Sequence, residues 1–218
     1  LDTAVRRVLF AKFAMGLFED PYGKTFKNRK RHSPESVKLA KTIADESTVL
    51  LKNENQLLPL DAKSLKSIAI IGPNADQVQF GDYTWSRNNK DGVTPLQGIK
   101  NRVNKNTAIH YAKGCSLTSL DTSGIAEAVE AAKNSEVAVI FGGSASAALA
   151  RDYKSSTCGE GFDLNDLNLT GAQSQLIREV YRTGTPIAAY YGVSQEEGHK
   201  LRIERQGEAA TEEASERA

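Results

Sequence analysis

The sequence contains few of the residues that build metal and disulfide sites. Its 218 residues include two cysteines and three histidines, all far apart in the chain: Cys115, Cys158, His32, His110 and His199. Two cysteines exclude a disulfide scaffold and a cysteine-rich zinc site, and the histidines lack the spacing of metal ligands. We therefore predict no metal and no cofactor. A single bridge between the cysteines is an open alternative, less favoured than two free thiols.

The chain also lacks an excess of charge of either sign. Its 28 Lys and Arg residues balance 27 Asp and Glu residues, which leaves a formal net charge of +1. This balance gives no electrostatic basis for binding nucleic acid or an anionic membrane. No apolar run approaches the roughly 20 residues that a membrane-spanning helix needs. We predict neither a nucleic-acid nor a membrane partner, and the sequence leaves the localisation unknown.

Motifs for nucleotide binding and for serine hydrolases are absent as well. The chain contains no G-x-G-x-x-G, no G-x-x-x-x-G-K-[ST] and no G-x-S-x-G, which argues against a dinucleotide fold, a P-loop and an α/β-hydrolase elbow. The glycine-containing segments 72–76 (GPNAD) and 141–150 (FGGSASAALA) are then best explained as turns after strands. A phosphate cradle of backbone amides at the second segment is the weaker alternative.

Short apolar runs alternate with helical patterns from residue 67 to residue 192. The runs at 67–72, 107–114, 136–143 and 185–192 predict strands, and the patterns at 93–103, 124–135 and 171–184 predict helices. Such alternation is typical of an α/β fold, here a three-layer sandwich with a mostly parallel sheet. Ligands of such sheets bind beyond the carboxyl ends of the strands. The loops at 73–92 and 143–170 and the segment after Gly192 occupy those positions.

The segments that flank this pattern have a different character. Residues 1–15 predict an amphipathic helix, and residues 16–32 form a basic linker with Pro and Gly. A second helix is expected to begin after Ser33, an N-cap residue followed by proline, and to continue to about residue 53. Residues 193–218 are rich in charge and poor in large aliphatic side chains, so we expect a disordered tail.

Glu160 is the candidate for chemistry, because it lies between two glycines in the segment TCGEGFDLNDLNLTGAQ, residues 157–173. On the residues alone, an ordinary loop charge is the more common explanation. A catalytic acid would need partial burial to raise its pKa above the usual value of about 4.3. Asp163 and Asp166 are rival carboxylates, although Asp166 precedes a predicted helix and suits a structural role.

Residues 1–191 resemble glycoside hydrolase family 3, the β-glucosidase and β-xylosidase family. The segments that carry the resemblance occur in the family's order: AVRRVLFAKFAMGLFEDPY, LAKTIADESTVLLKNENQLLPL, IAIIGPNAD, GDYTW with DGVTPLQGI, and GEGFDLNDLNLTGAQ. The family joins an N-terminal barrel to an (α/β)6-sandwich domain. The resemblance implies that 1–15 ends the barrel domain, that 16–32 links the domains, and that 33–192 is a sandwich domain, incomplete at its C-terminus, before the tail at 193–218.

The resemblance also implies roles for single residues. The family's acid/base motif, E-G-[FY]-D, matches Glu160 to Asp163, so Glu160 becomes the best candidate for the general acid/base of a retaining mechanism. Trp85, with Asp82 and Tyr83 beside it, is the candidate substrate-binding group, although Trp85 as a loop anchor has nearly equal weight. The sequence departs from the commonest family form at two positions, where Leu164 replaces Arg and Thr170 replaces Pro.

These features predict a fragment of a retaining β-glucosidase that hydrolyses terminal β-linked sugars. The fragment would supply the acid/base loop, would lack the barrel and its nucleophilic aspartate, and would be inactive alone. One alternative is a non-catalytic carbohydrate-binding module or a subunit that completes a separate barrel. Another is a chain that does not fold stably, because an exposed sheet edge and an unpartnered helix favour aggregation.

Overall fold

The computed structural model describes residues 1–22, 32–53, 55–80, 92–146, 156–159 and 168–192, and the backbone of 200–202. The chain divides into two compact units, Leu1–Glu46 and Ser47–Ala218. Helix α1 (Asp2–Ala14) and nearly all of helix α2 (Pro34–Ser47) lie in the first unit. None of these described helices is long and apolar enough to cross a membrane.

Helix α2 begins where the sequence predicts and ends earlier. The Ser33 hydroxyl accepts a hydrogen bond from the backbone N–H of Ser36 at 3.2 Å, as expected for an N-cap. The helix ends at Ser47 rather than near residue 53, and Val49–Leu50 form the short strand β1. No side chain of α2 is buried. The β-branched Val49 favours an extended backbone, and pairing with another strand overrides the helical pattern.

The second unit is built around a mainly parallel sheet. Its strands are β1, β2 (Ser67–Ile71), β3 (Ala108–Ala112), β4 (Val137–Gly143), β5 (Ile187–Gly192) and β6 (Lys200–Arg202), in the order β1-β6-β5-β4-β2-β3. Strands β3, β2, β4 and β5 are all parallel, with Ile68 opposite Val137 and Ala138 opposite Ile187. Strand β6 pairs antiparallel with β5 and parallel with β1. The carboxyl ends of the four parallel strands, β3, β2, β4 and β5, therefore meet at one edge.

Helices α4 (Ile125–Lys133) and α5 (Gln173–Tyr181) cover one face of this sheet. Ala128 and Leu176 pack there against Ala69 and Ile140. Helix α3 (Pro95–Arg102) covers the other face, where Leu96 packs with alternate residues of the same strands and with the segment that precedes β2: Ile68, Ile70, Val139, Leu57, Leu58, Leu60 and Leu65. Because alternate strand residues are buried on both faces, the predicted three-layer α/β fold is confirmed.

Candidate active site

The carboxyl ends of β2, β4 and β5 approach one another so closely that they require glycine. Gly72 and Gly143 both have a φ of +117°, in the region that side chains avoid. A Cβ on Gly72 would lie 2.2 Å from the carbonyl oxygen of Phe141, and one on Gly143 would lie 1.8 Å from that of Gly192. The glycines predicted as turns are therefore needed for close backbone packing at the edge where such sheets bind ligands.

Asn74 ties the loop after β2 to the end of β4. Its backbone N–H donates to the carbonyl of Phe141 at 3.1 Å, and its side-chain amide donates to that of Gly142 at 3.2 Å. Gln79 in turn donates to the side-chain oxygen of Asn74 at 2.6 Å. Asn74 is buried, so these bonds satisfy a polar group that burial would otherwise penalise. These bonds fix the loop after β2 at the end of β4. The segment with Asp82, Tyr83 and Trp85 follows this loop in sequence.

The chain leading to Glu160 is anchored next to the end of β4. The Thr157 hydroxyl accepts a hydrogen bond from Ala145 N–H at 2.9 Å, and Thr157 N–H donates to the Ala145 carbonyl at 2.9 Å. Ser146 and Cys158 form a parallel bridge directly after this pair. Thr157 is only 4% exposed. Gly159, the last described residue before Glu160, therefore lies at the carboxyl edge of the sheet.

The chain that follows the 160–167 segment is anchored to the loop after β3. The Thr170 hydroxyl donates to the Leu117 carbonyl at 2.6 Å, and Ala172 N–H donates to the Ser119 carbonyl at 3.1 Å. Gly171, with a φ of +63°, approaches so closely that a Cβ would lie 2.8 Å from the Ser119 oxygen. Thr170, which departs from the family's usual proline, thus makes a hydrogen bond that proline could not make.

Gln173 joins the two anchored stretches. Its side-chain oxygen accepts from Gly143 N–H at 2.9 Å. Its side-chain nitrogen donates to the carbonyl of Gly143 at 3.0 Å and to that of Thr170 at 3.1 Å. The side chain is buried, with 1% of the residue exposed. Sequence reasoning assigned no role to Gln173, although its position on the buried face of a helix, one turn before Leu176, was visible in the pattern.

The residues predicted to act on substrate lie outside the described residues. This is the case for Glu160, for Asp82, Tyr83 and Trp85, and for the rival carboxylates and the family departure in the same loop, Asp163, Asp166 and Leu164. Their roles stay predictions. The described residues instead define the framework from which the two loops extend, at adjacent strand ends of one sheet edge.

The two cysteines are buried and free, so the structure contains the favoured pair of free thiols. Burial raises the pKa of the Cys115 thiol to about 11, and Lys113 opposes this shift only in part. A thiol with this pKa is protonated at neutral pH and is a poor nucleophile. In the described part of the chain, no group of three or more His, Cys, Asp or Glu residues could hold a metal ion.

One buried hydroxyl at this edge is unsatisfied. Ser146 Oγ is shielded from solvent and has no hydrogen-bond partner among the described residues. Tyr111, at the end of β3, has its pKa raised by burial and, to a smaller extent, by the negative charges of Asp76 and Glu127. The other amides and hydroxyls described at this edge, such as those of Asn74, Thr157 and Gln173, bond to backbone groups of the protein itself and so hold the edge in place.

The parallel sheet, its two helical layers and the loops at its carboxyl edge define the class of protein, an α/β sandwich domain. Residues 48–196 match the Glycosyl hydrolase family 3 C-terminal domain. The chain therefore belongs to glycosyl hydrolase family 3, as the sequence resemblance predicts.

Similarity to individual glycosidases supports this assignment. The chain is 37% identical over 194 residues to a β-xylosidase of Formosa agariphila, and 35% identical over 219 residues to a periplasmic β-glucosidase of Salmonella typhimurium. The two alignments each cover 86% of this chain and 26% and 27% of the respective relatives. A β-glucosidase structure from Listeria innocua matches 92% of this chain and 28% of its own, with a TM-score of 0.67 and 27% identity. The chain thus spans about a quarter of the length of these relatives.

Proposed function

We propose that this chain supplies Glu160 as the general acid/base of a retaining β-glycosidase, whose substrates are glucosides, xylosides or related oligosaccharides with a terminal β-linked sugar. One observation carries the proposal: the stretches on both sides of the 160–167 segment are hydrogen-bonded at the carboxyl edge of a parallel sheet, where ligands of such folds bind. Membership of the family supports the reaction class, because the similar proteins are named β-xylosidase and β-glucosidase.

The chemistry needs a second carboxylate from outside this domain. A retaining glycosidase places two carboxyl groups about 5 to 5.5 Å apart, one to attack the sugar and one to protonate the departing oxygen. By family resemblance, an aspartate of the barrel domain is the nucleophile. Glu160 would first donate its proton to the leaving group and then activate the water that releases the sugar. The flanking glycines, Gly159 and Gly161, allow close backbone approach to the partner domain.

The same proposal assigns roles to the other parts of the chain. Residues 1–15 would be the last helix of the barrel domain and 16–32 the interdomain linker. Residues 33–192 would be the sandwich domain and 193–218 a charged tail. Trp85 would stack on a sugar face at the aglycone side, with Asp82 and Tyr83 beside it, because aromatic rings offer an apolar surface with a defined geometry.

The first test measures hydrolysis of aryl β-glucosides and β-xylosides by this chain alone. We expect no turnover above that of the Glu160→Gln variant, because the nucleophile belongs to another domain and the carboxyl pair is incomplete. Turnover by the unaltered chain well above that of the variant would contradict the two-domain assignment.

The second test restores the missing partner. A chimaera in which this chain replaces the matched portion of the Formosa agariphila β-xylosidase should hydrolyse aryl β-xylosides. For an aryl xyloside with a poor leaving group, Glu160→Gln in the chimaera should lower kcat/KM by about 10²- to 10⁴-fold, as expected for loss of general acid catalysis. Asp163→Asn is the matched control, since it removes a charge from the same loop. A folded, active chimaera in which Asp163→Asn rather than Glu160→Gln abolishes activity would exclude Glu160 as the acid/base.

A further inference from the structure

Gln173 is the buried polar side chain that contacts both the end of a core strand and the chain beyond the proposed catalytic segment. We propose that Gln173 is a positioning residue: it fixes the two ends of the 160–167 segment relative to each other, and thereby the location of the acid/base. The inference rests on the proposed function for the role of Glu160. The positioning itself rests on hydrogen bonds of described residues.

The side-chain amide of Gln173 uses its hydrogen-bonding groups in two directions. Its oxygen accepts a hydrogen bond from the N–H of Gly143, and its nitrogen donates one to the Gly143 carbonyl. Gly143 is the last residue of β4. The same nitrogen also donates a hydrogen bond to the Thr170 carbonyl at 3.1 Å. An amide nitrogen carries two hydrogens, so both are used, one on each side. Gln173 therefore connects β4 directly to the chain that follows the segment.

Each of these contacts continues into an anchor of the segment. Gly143 lies two residues before Ala145, whose N–H and carbonyl both bond to Thr157, ahead of Glu160. Thr170 lies on the other side, where its hydroxyl bonds to Leu117. Among the described residues, Gln173 links these two anchors through side-chain hydrogen bonds. If the link were lost, each anchor would keep its own hydrogen bonds, but their separation would be less fixed.

Burial makes the link stiff. With 1% of Gln173 exposed, water cannot replace the lost partners at low cost, and a buried group without its hydrogen bond is penalised. Gly142 packs against the same side chain, since a Cβ on Gly142 would lie 3.0 Å from the Gln173 side-chain oxygen. Catalytic groups need placement to a fraction of an ångström, and a displacement of about 1 Å lowers rates about 100-fold. A rigid link between the two anchored stretches that flank the 160–167 segment would therefore affect catalysis under the proposed function.

The test uses the ¹⁵N-labelled full chain and needs no turnover. Gln173→Met keeps the approximate length and volume of the side chain and removes the hydrogen bonds of its amide group. Leu176→Ala is the matched control, because Leu176 is as buried, lies on the same helix and bonds to neither strand end. We compare amide resonance positions and hydrogen-exchange rates of Gly143, Thr157, Gly159 and Glu160 in both variants.

We expect Gln173→Met to shift or broaden the Thr157, Gly159 and Glu160 amide signals. The exchange rate of the Thr157 amide, which is hydrogen-bonded to the Ala145 carbonyl, should rise at least 10-fold. Leu176→Ala should lower the midpoint of urea unfolding without moving those resonances. Changes in Gln173→Met that stop at Gly143 and α5 would overturn the proposal and make Gln173 a structural core residue only.

The unaltered protein provides a second measurement that does not depend on a variant that folds. Native-state exchange at increasing low urea concentrations reports which amides open together. Thr157 and Ala172, on opposite sides of the segment, should exchange through one opening with the same urea dependence. Different urea dependences would show that no common link holds them. Either outcome is independent of the chimaera assay, in which failure of Glu160→Gln to lower activity would refute the proposed function alone.

Discussion

At the scale of single residues, backbone contacts at the carboxyl edge leave no space for a side chain. Gly143→Ala would place a Cβ 1.8 Å from the Gly192 oxygen, at a φ of +117° that alanine avoids. We expect this substitution to lower the free energy of unfolding by about 3 kcal/mol or more, since backbone must move in two strands. Urea denaturation followed by circular dichroism measures the loss.

The matched control for that change is Gly98→Ala in helix α3. The nearest atom to a Cβ at this position is a Val93 methyl group at 3.9 Å, and the backbone has no positive φ. Alanine is the better helix former, so stability should rise by about 0.5 to 1 kcal/mol. Equal effects of the two substitutions would show that the close approach of β4 and β5 is not as tight as described.

The thiol of Cys115 should make the free energy of unfolding depend on pH. Burial raises the pKa of its thiol from an ordinary 9.0 to about 11. Between these values the folded protein holds the proton that the unfolded chain releases, so stability should fall as the pH rises from about 9 to 11. Urea melts at pH 8 to 11 should show a steeper decline for the unaltered protein than for Cys115→Ala. Parallel declines would mean that the thiol is solvated.

At the scale of elements, helix α3 depends on one capping residue. The Thr94 hydroxyl accepts from Gln97 N–H at 3.1 Å and donates to Asp76 at 2.8 Å, which also ties the helix to the loop after β2. Thr94→Ala should lower the free energy of unfolding by about 1 to 2 kcal/mol, whereas Thr94→Ser should retain most of it because the hydroxyl stays. Thermal or urea unfolding distinguishes the two variants, and an equal loss in both would assign the effect to the methyl group.

The strands and helices of the sandwich were predictable because their signals are local. Continuous apolar runs bounded by glycine gave β2, β4 and β5, and Thr94 followed by proline gave the start of α3. The short strand β1 was missed. Its two residues continue the apolar pattern of α2. They form a strand because they pair with Lys200 and Leu201, which are far away in sequence. Local periodicity contains no information about such a partner.

For the same reason, only part of the framework of the site could be predicted from the sequence. The spacing of Gln173, Leu176, Ile177 and Val180 places all four on one helical face, so burial of Gln173 could have been expected. Its partners could not. They are carbonyl and amide groups of Gly143 and Thr170, and no side-chain pattern marks which backbone groups a folded chain brings within reach. The glycine requirement at Gly143 depends likewise on the distant Gly192.

At the scale of the whole molecule, the sandwich domain is much shorter than the related proteins that are named as glycosidases. The sheet and its two helical layers lie in the second unit, Ser47–Ala218, and both faces of the central strands are covered. The relatives named as glycosidases are about four times longer than the matched portion. Under the proposed function, a carboxylate from outside this domain would complete the pair that a retaining mechanism needs.

The most direct measurement is the leaving-group dependence of kcat/KM in the chimaera with the Formosa agariphila β-xylosidase. General acid catalysis matters for 4-methoxyphenyl β-xyloside, a poor leaving group, and little for the 2,4-dinitrophenyl analogue, which departs without a proton. Glu160→Gln should lower kcat/KM about 10²- to 10⁴-fold for the first substrate and leave the second nearly unchanged. An equal loss for both substrates, or a loss for neither, would contradict the assignment of Glu160 as the acid/base.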